Sequence, residues 1–148
     1  MQTNFIALVP RFKFEAGPTF LLACDAIGLH FLCQNFLELV DSGPETSFVI
    51  GDGLTIASDD RCRLTVMTAD DVEKSGIVQS KSGFTWRVSR ADAAAIAAKV
   101  LSLLTSNVPG HQYLEVQGGC YRSVIVTKQE YPVDTIRAMR DGRAPVAR

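Results

Sequence analysis

Residues 20–40, FLLACDAIGLHFLCQNFLELV, match residues 84–104, FTWRVSRADAAAIAAKVLSLL, in the positions of their apolar side chains. In both stretches an alternating apolar segment is followed by a helix-capping residue, Asp25 or Ser89, and then by an apolar stripe with helical spacing. The sequence therefore predicts one structural unit that occurs twice, 64 residues apart. The matching stripe positions are Leu29 with Ala93, Leu32 with Ile96, Cys33 with Ala97, Phe36 with Val100, Leu37 with Leu101 and Val40 with Leu104.

Each unit is predicted to follow the order ββαββ. Alternating apolar residues indicate the strands, and turn residues separate them. A further strand is expected at residues 5–9. The predicted ranges are strands 11–15 and 19–24, helix 26–40 and strands 47–50 and 63–67 in the first unit, and strands 77–80 and 84–88, helix 90–104 and strands 113–116 and 123–127 in the second.

The predicted fold class is α+β, with two tandem ββαββ units related by a pseudo-twofold. They form a mostly antiparallel sheet, with two helices on it to cover its apolar face. One unit of about 60 residues is marginal alone, so residues 1–131 are expected to form a single domain. Repeat one covers about 11–70 and repeat two about 76–130, while residues 132–148 are expected to be a short C-terminal helix and flexible tail.

Composition excludes several classes of function. The chain has 148 residues, of which 47% are hydrophobic and 21% charged, as in a globular protein. Its 16 acidic and 15 basic residues give a net charge of −1, so nucleic acid and anionic membranes, which attract basic surfaces, are not expected partners. No apolar run reaches the ~20 residues of a membrane span, and no signal peptide is recognisable. We expect a cytoplasmic protein.

The four cysteines contain no CxxC pair and no metal-type spacing, which in a reducing compartment predicts free thiols. Cys62 lies between two arginines that could lower its pKa and make it reactive. The alternative is that Cys62 is an ordinary strand residue whose neighbours point to the opposite face. The cysteines are Cys24, Cys33, Cys62 and Cys120.

The sequence predicts no metal and no cofactor. His30 and Cys33 share a helical spacing, but no second cluster completes the three or four ligands of a zinc site. The glycines at residues 51–53 lack the strand–loop–helix context of a phosphate-binding loop. The acidic residues Asp59 and Asp60 lie at a predicted turn, where aspartate is common for its local hydrogen bonding.

One enzymatic alternative involves His111, with Glu115 as an orienting carboxylate. Four residues along a strand separate these two by roughly 13 Å, so they are not expected to touch. The preferred interpretation is that His111 is a strand-entry residue and that Tyr113 belongs to the core. No other catalytic constellation is recognisable in the sequence.

The two predicted helices differ on the face that points away from the core. At 100° per residue, Ile27 and Phe31 lie opposite the core stripe of the first helix, whereas Ala91 and Ala95 occupy the equivalent positions of the second. A bulky apolar pair on an outer face predicts a contact. The contact is either with the small-residue face, inside the monomer or across a homodimer, or with another protein.

The second unit resembles the small bacterial immunity proteins of polymorphic toxin systems over about 45 residues. The resemblance rests on SRADA (89–93) after a strand, a Leu/Ala-rich helix, HQYLE (111–115) and SVIVTK (123–128). The family has an His-x-His-Leu-Asp-like strand, in which Tyr113 here replaces the second histidine and Glu115 the aspartate. The resemblance implies a cytosolic protein that neutralises a toxin by binding it and carries out no reaction.

The function predicted from these observations is a non-catalytic protein-binding module, an immunity or accessory protein that neutralises a bacterial partner. Two alternatives stay open: a small-molecule-sensing regulatory domain with its pocket at the seam between the repeats, and an enzyme with a site near His111 and Glu115. The predicted partner-binding residues are Ile27, Phe31, Asp59, Asp60, His111 and Tyr113.

Overall fold

A computed structural model of the chain describes residues 6–14, 17–41, 46–51, 63–69, 75–80, 83–116 and 123–128. Within these ranges the elements follow the predicted order, ββαββ twice. The predicted C-terminal helix and tail at residues 132–148 lie outside the described residues. The elements are β1 (Ile6–Phe14), β2 (Gly17–Cys24), α1 (Ala26–Asp41), β3 (Ser47–Gly51), β4 (Arg63–Thr68), β5 (Gly76–Ser80), β6 (Gly83–Val88), α2 (Arg90–Thr105), β7 (Gly110–Glu115) and β8 (Ser123–Lys128).

The strands form two four-stranded sheets, where the sequence predicted one. The first sheet has the order β1-β2-β8-β7 and the second has the order β3-β4-β6-β5. Their central pairs, β2 with β8 and β4 with β6, are parallel, and the four outer pairs are antiparallel. The α+β class is thus confirmed. Each unit contributes one hairpin to each sheet, and its 16-residue helix connects the two hairpins.

The separate N-terminal strand predicted at residues 5–9 is instead the first half of β1. This strand pairs with β2 along its length, apart from a register shift between Val9 and Phe12. Pro10 lies within that register shift. Proline has no backbone N–H, and at this position no regular hydrogen bond between the strands requires one. The proline therefore marks a bulge within one strand and not the end of a strand.

Both predicted helix caps are confirmed. The backbone N–H of Gly28 donates to Asp25 Oδ1 at 2.7 Å, at the start of α1. The backbone N–H of Asp92 donates to Ser89 Oγ at 3.1 Å, at the start of α2. Each bond satisfies one of the N–H groups that a first helical turn leaves without an intrahelical acceptor. Neither helix, nor any other in the described ranges, is long and apolar enough to cross a membrane.

In each helix one position of the predicted stripe is exposed, one position outside the predicted stripe is buried, and the last predicted position, Val40 or Leu104, is only partly buried. Leu37 and Leu101, predicted to face the core, are 49% and 48% exposed, whereas Leu39 and Leu103 are buried. In a projection down α1 at 100° per residue, Leu39 lies on the side that faces the sheets. Cys33 lies on the side that contacts α2, and Leu37 lies further round the helix on that side, past the contact and towards the exposed face. The error occurs at equivalent positions because both helices pack on two neighbours, a sheet and the other helix.

Both sheets and both helices contribute to one hydrophobic core. Phe20 of the first sheet meets Phe84 of the second edge to face, with ring centroids 5.1 Å apart. Between the helices, the Cys33 thiol donates to the carbonyl oxygen of Ala97 at 3.8 Å. In both pairs the two residues are 64 positions apart and therefore occupy equivalent positions in the two units. A twofold axis between the units would bring equivalent positions together in this way. The pseudo-twofold and the single-domain boundaries stay predictions.

Candidate functional site

The bulky residues predicted on the outer face of α1 are exposed. Ile27 is 44% exposed and Phe31 39%, and Leu37, which was predicted to face the core, adds a third large apolar side chain. On α2, Leu101 is exposed, together with the small residues Ala91, Ala95 and Ala98. We call this set, contributed by two helices that pack on each other, the outer helical surface. Its members are Ile27, Phe31, Leu37, Ala91, Ala95, Ala98 and Leu101.

The outer faces of the two helices do not cover each other inside the chain. The helices meet instead through Cys33 and Ala97, which are both buried. Ile27 and Phe31 remain exposed on one side of that contact and Ala91 and Ala95 on the other. The interpretation that the bulky and small faces meet within the monomer is therefore wrong.

A row of aromatic rings connects the outer helical surface to the core. Phe31 meets Phe48 of β3 edge to face, with centroids 6.0 Å apart, and Phe48 meets Phe36 at 5.3 Å. Phe36 in turn meets the buried Trp86 at 5.5 Å. Contact with Phe48 limits the rotamers that are open to the partly exposed Phe31 ring. The position of Phe48 beneath Phe31 is not predictable from the sequence, because no local pattern shows which strand lies beneath α1.

His111 and Tyr113 form a second exposed group, on the edge strand β7. Their rings are perpendicular, with centroids 5.1 Å apart, and Tyr113 is 44% exposed. The prediction that Tyr113 belongs to the core is wrong, because Leu114 and Val116 are the buried residues in this part of the chain. Strand alternation then turns positions 111 and 113 to the opposite face. The Nζ of Lys99 donates to the carbonyl oxygen of Tyr113 at 2.9 Å.

The remaining predicted groups are not brought together by the described part of the chain. Glu115 ends β7 opposite Ser123, four residues from His111. Asp59, Asp60 and Cys62 lie outside the described residues.

The helical pair His30 and Cys33 does not share an accessible face, since His30 is exposed and Cys33 is 6% exposed. The Cys33 thiol is directed to the backbone of α2. Among the described residues, no three His, Cys, Asp or Glu side chains lie close enough to hold a metal ion.

Outside these candidate surfaces, the second sheet also exposes β-branched side chains on its outer face. Val49 pairs with Thr65, Thr65 with Thr85, and Thr85 with Val78, so four β-branched residues form a row across the sheet. Val49 is 47% exposed and Val78 41%. The order of the strands, which creates this row, is not a local property of the sequence.

Two described cysteines are free and buried, Cys24 and Cys33. Burial raises the pKa of the Cys24 thiol far above its usual value, and the neighbouring charge of Asp25 raises it further. The thiolate is the reactive form, so a thiol that is both protonated and inaccessible should be inert in the folded chain.

We expect alkylation to modify Cys24 and Cys33 only after unfolding. Iodoacetamide at pH 8, followed by peptide mapping, should label both residues more than about a hundredfold faster in denaturant than in the native protein. Raising the pH from about 7 to about 9 should accelerate labelling in denaturant, where the Cys24 thiol has its ordinary pKa, but labelling of the native protein should stay far slower at both pH values because the buried thiol is protonated and inaccessible. Native labelling at the denatured rate would contradict the described packing.

Comparisons of the chain with protein families, with curated proteins and with solved structures each find no match. The function is therefore inferred from the surfaces described above.

Proposed function

We propose that this chain is a non-catalytic protein-binding module, an immunity or accessory protein that neutralises a bacterial partner in the cytoplasm by contact. The observation that carries the proposal is the exposure of Ile27, Phe31, Leu37 and Leu101 on two adjacent helices. Four large apolar side chains on one surface mark an interaction site more often than single scattered ones do.

Phe31 is the strongest candidate for an anchor. It is aromatic, it stands in the exposed surface, and the edge-to-face contact with Phe48 limits its freedom. Large aromatic side chains that enter a pocket of the partner contribute much of the affinity of protein interfaces. A side chain that is already ordered loses little conformational entropy when it binds.

His111 and Tyr113 extend the proposal to a second contact region on β7, and the acidic Asp59 and Asp60 are proposed to contribute charge. The overall charge of −1 supports recognition by shape and apolar anchors, since a strongly acidic inhibitor surface would need a large acidic excess. A polymorphic toxin is the kind of partner that the sequence resemblance suggests.

The test is co-purification from the organism of origin at native expression level. The wild-type chain is expected to carry a second protein in stoichiometric amount, and an Ile27→Asp/Phe31→Asp variant is expected to retain at least about tenfold less of it. The matched control is Val49→Asp/Val78→Asp, which places two charges on the outer face of the second sheet. Far-ultraviolet circular dichroism should show that both variants are folded.

Two results would contradict the proposal. One is a wild-type chain that emerges alone but with a small molecule bound, which would favour a ligand-sensing domain. The other is a turnover reaction that His111→Ala abolishes, which would favour an enzyme. If only a His111→Ala/Tyr113→Ala variant loses the partner, the binding site lies on β7 and not on the outer helical surface.

A further inference from the structure

We infer that the outer helical surface is covered by a second copy of this chain, with α1 of each copy packed on α2 of the other. The inference goes beyond the proposed function: it makes a second copy the occupant of the same surface, and a foreign partner would have to displace that copy in order to bind. It is carried by three features of that surface: its shape, its charge and its area.

The first feature is shape. The outer face of α1 carries Ile27 and Phe31, and the face of α2 at equivalent positions carries Ala91 and Ala95. Residues four apart form a ridge along a helix, and small residues leave a groove into which such a ridge fits. One chain thus carries both a ridge on α1 and a complementary groove on α2, and both remain exposed within a single copy.

The second feature is charge. Glu38 and Asp41 are exposed on α1, which contains no lysine or arginine. On α2 the exposed Arg90 and Lys99, the latter bonded to the Tyr113 carbonyl oxygen, outnumber the half-buried Asp92, so two positive charges and one negative charge give the helix a net charge of +1. Contact between α1 of one copy and α2 of the other brings opposite charges together, whereas two α1 helices in contact would repel each other. Charge therefore selects the α1–α2 pairing over the α1–α1 pairing.

The third feature is area. A twofold dimer contains the α1–α2 contact twice, once in each direction, so both outer faces of both copies are buried. Two adjacent helices of 16 residues present a face of about 24 by 20 Å, and two copies would bury about 1,000 Å² in total. That area is at the lower limit for specific interfaces, which predicts a dimer that dissociates in the micromolar range.

Sedimentation velocity on the full chain between about 1 and 300 µM tests the inference. The weight-average mass of the wild type should rise from that of one chain towards that of two chains. Phe31→Asp and Ala95→Lys should each weaken association by at least about a hundredfold, because each change occurs twice in a dimer. Val78→Asp, on the second sheet, is the matched control and should associate as the wild type does.

A mixture of the two defective variants identifies the pairing. In a mixed dimer, one α1–α2 contact joins the introduced carboxylate of the first variant to the introduced ammonium of the second, and the other contact is wild type. An equimolar mixture of Phe31→Asp and Ala95→Lys chains should therefore form dimers at concentrations where each variant alone is monomeric. Failure of the mixture to associate, or a wild type that is monomeric throughout, would overturn the inference.

The outcome separates this inference from the proposed function. A monomeric wild type whose foreign partner is lost on Phe31→Asp substitution would overturn the dimer and leave the binding module standing. A dimer that shows the mixed-variant rescue, but from which no foreign partner is ever recovered, would support the inference and contradict the neutralising function.

Discussion

A Phe36→Ala variant is expected to lose about 3–5 kcal/mol of the free energy of unfolding. Phe36 is 1% exposed and lies in the buried stripe of α1, where its ring meets Phe48 and Trp86 edge to face. Truncation removes the transfer free energy of the ring and both aromatic contacts, and it leaves a cavity that the core fills only in part. The loss is a large fraction of the total stability of an ordinary domain.

Urea unfolding measures this effect through Trp86, the only tryptophan of the chain. Since Phe36 contacts Trp86 directly, the emission of the folded state should change together with the unfolding midpoint. Phe31→Ala is the control at the other end of the aromatic row and should cost less than about 1 kcal/mol, because Phe31 is 39% exposed. Phe36→Leu, which keeps most of the volume, should lie between the two. Equal losses for Phe36→Ala and Phe31→Ala would contradict the described core.

The elements of this fold follow from local signals in the sequence. Asp25 and Ser89 predict the starts of the helices, because a capping side chain accepts a hydrogen bond from a backbone N–H only three residues further along the chain. The strands follow from alternation, which is equally local. The arrangement of the hairpins in two sheets does not follow, because the pairing of β2 with β8 joins residues about a hundred positions apart.

The two errors in the burial pattern have the same physical origin. Leu37 and Leu39 both continue the apolar spacing of α1, and only the positions of the second helix and of the sheet decide which of them is covered. Likewise, Tyr113 and Leu114 are both apolar enough for the core, and the register with β8 determines that Leu114 points inward. Periodicity gives the buried positions to within one or two residues, and packing decides which of them is covered.

The candidate site could be predicted to the same extent as the fold. Ile27 and Phe31 were identified because the outer face of a helix is defined by its own periodicity. The contribution of Phe48, which holds Phe31 from another element, could not be identified from the sequence. The described ranges do not reach Asp59 and Asp60, so their part in binding stays a prediction.

A Gly83→Ala variant is expected to lose about 2–4 kcal/mol of the free energy of unfolding. Gly83 has a φ of +132°, which L residues rarely adopt, and a Cβ there would lie 2.6 Å from the carbonyl oxygen of Arg63. The obstacle is backbone of β4, so relief would require the central β4–β6 pair of the second sheet to shift.

The matched control for Gly83→Ala is Gly51→Ala. Gly51 pairs with the same residue, Arg63, from the other side, but a Cβ there would meet nothing within 4 Å. Its substitution should change stability by less than about 1 kcal/mol, in either direction. The test compares the urea unfolding midpoints of the two variants with that of the wild type, and only Gly83→Ala is expected to lower the midpoint strongly. Equal midpoints for the two variants would mean that β4 accommodates the methyl group, and that the close approach of Gly83 to Arg63 is not a constraint on the second sheet.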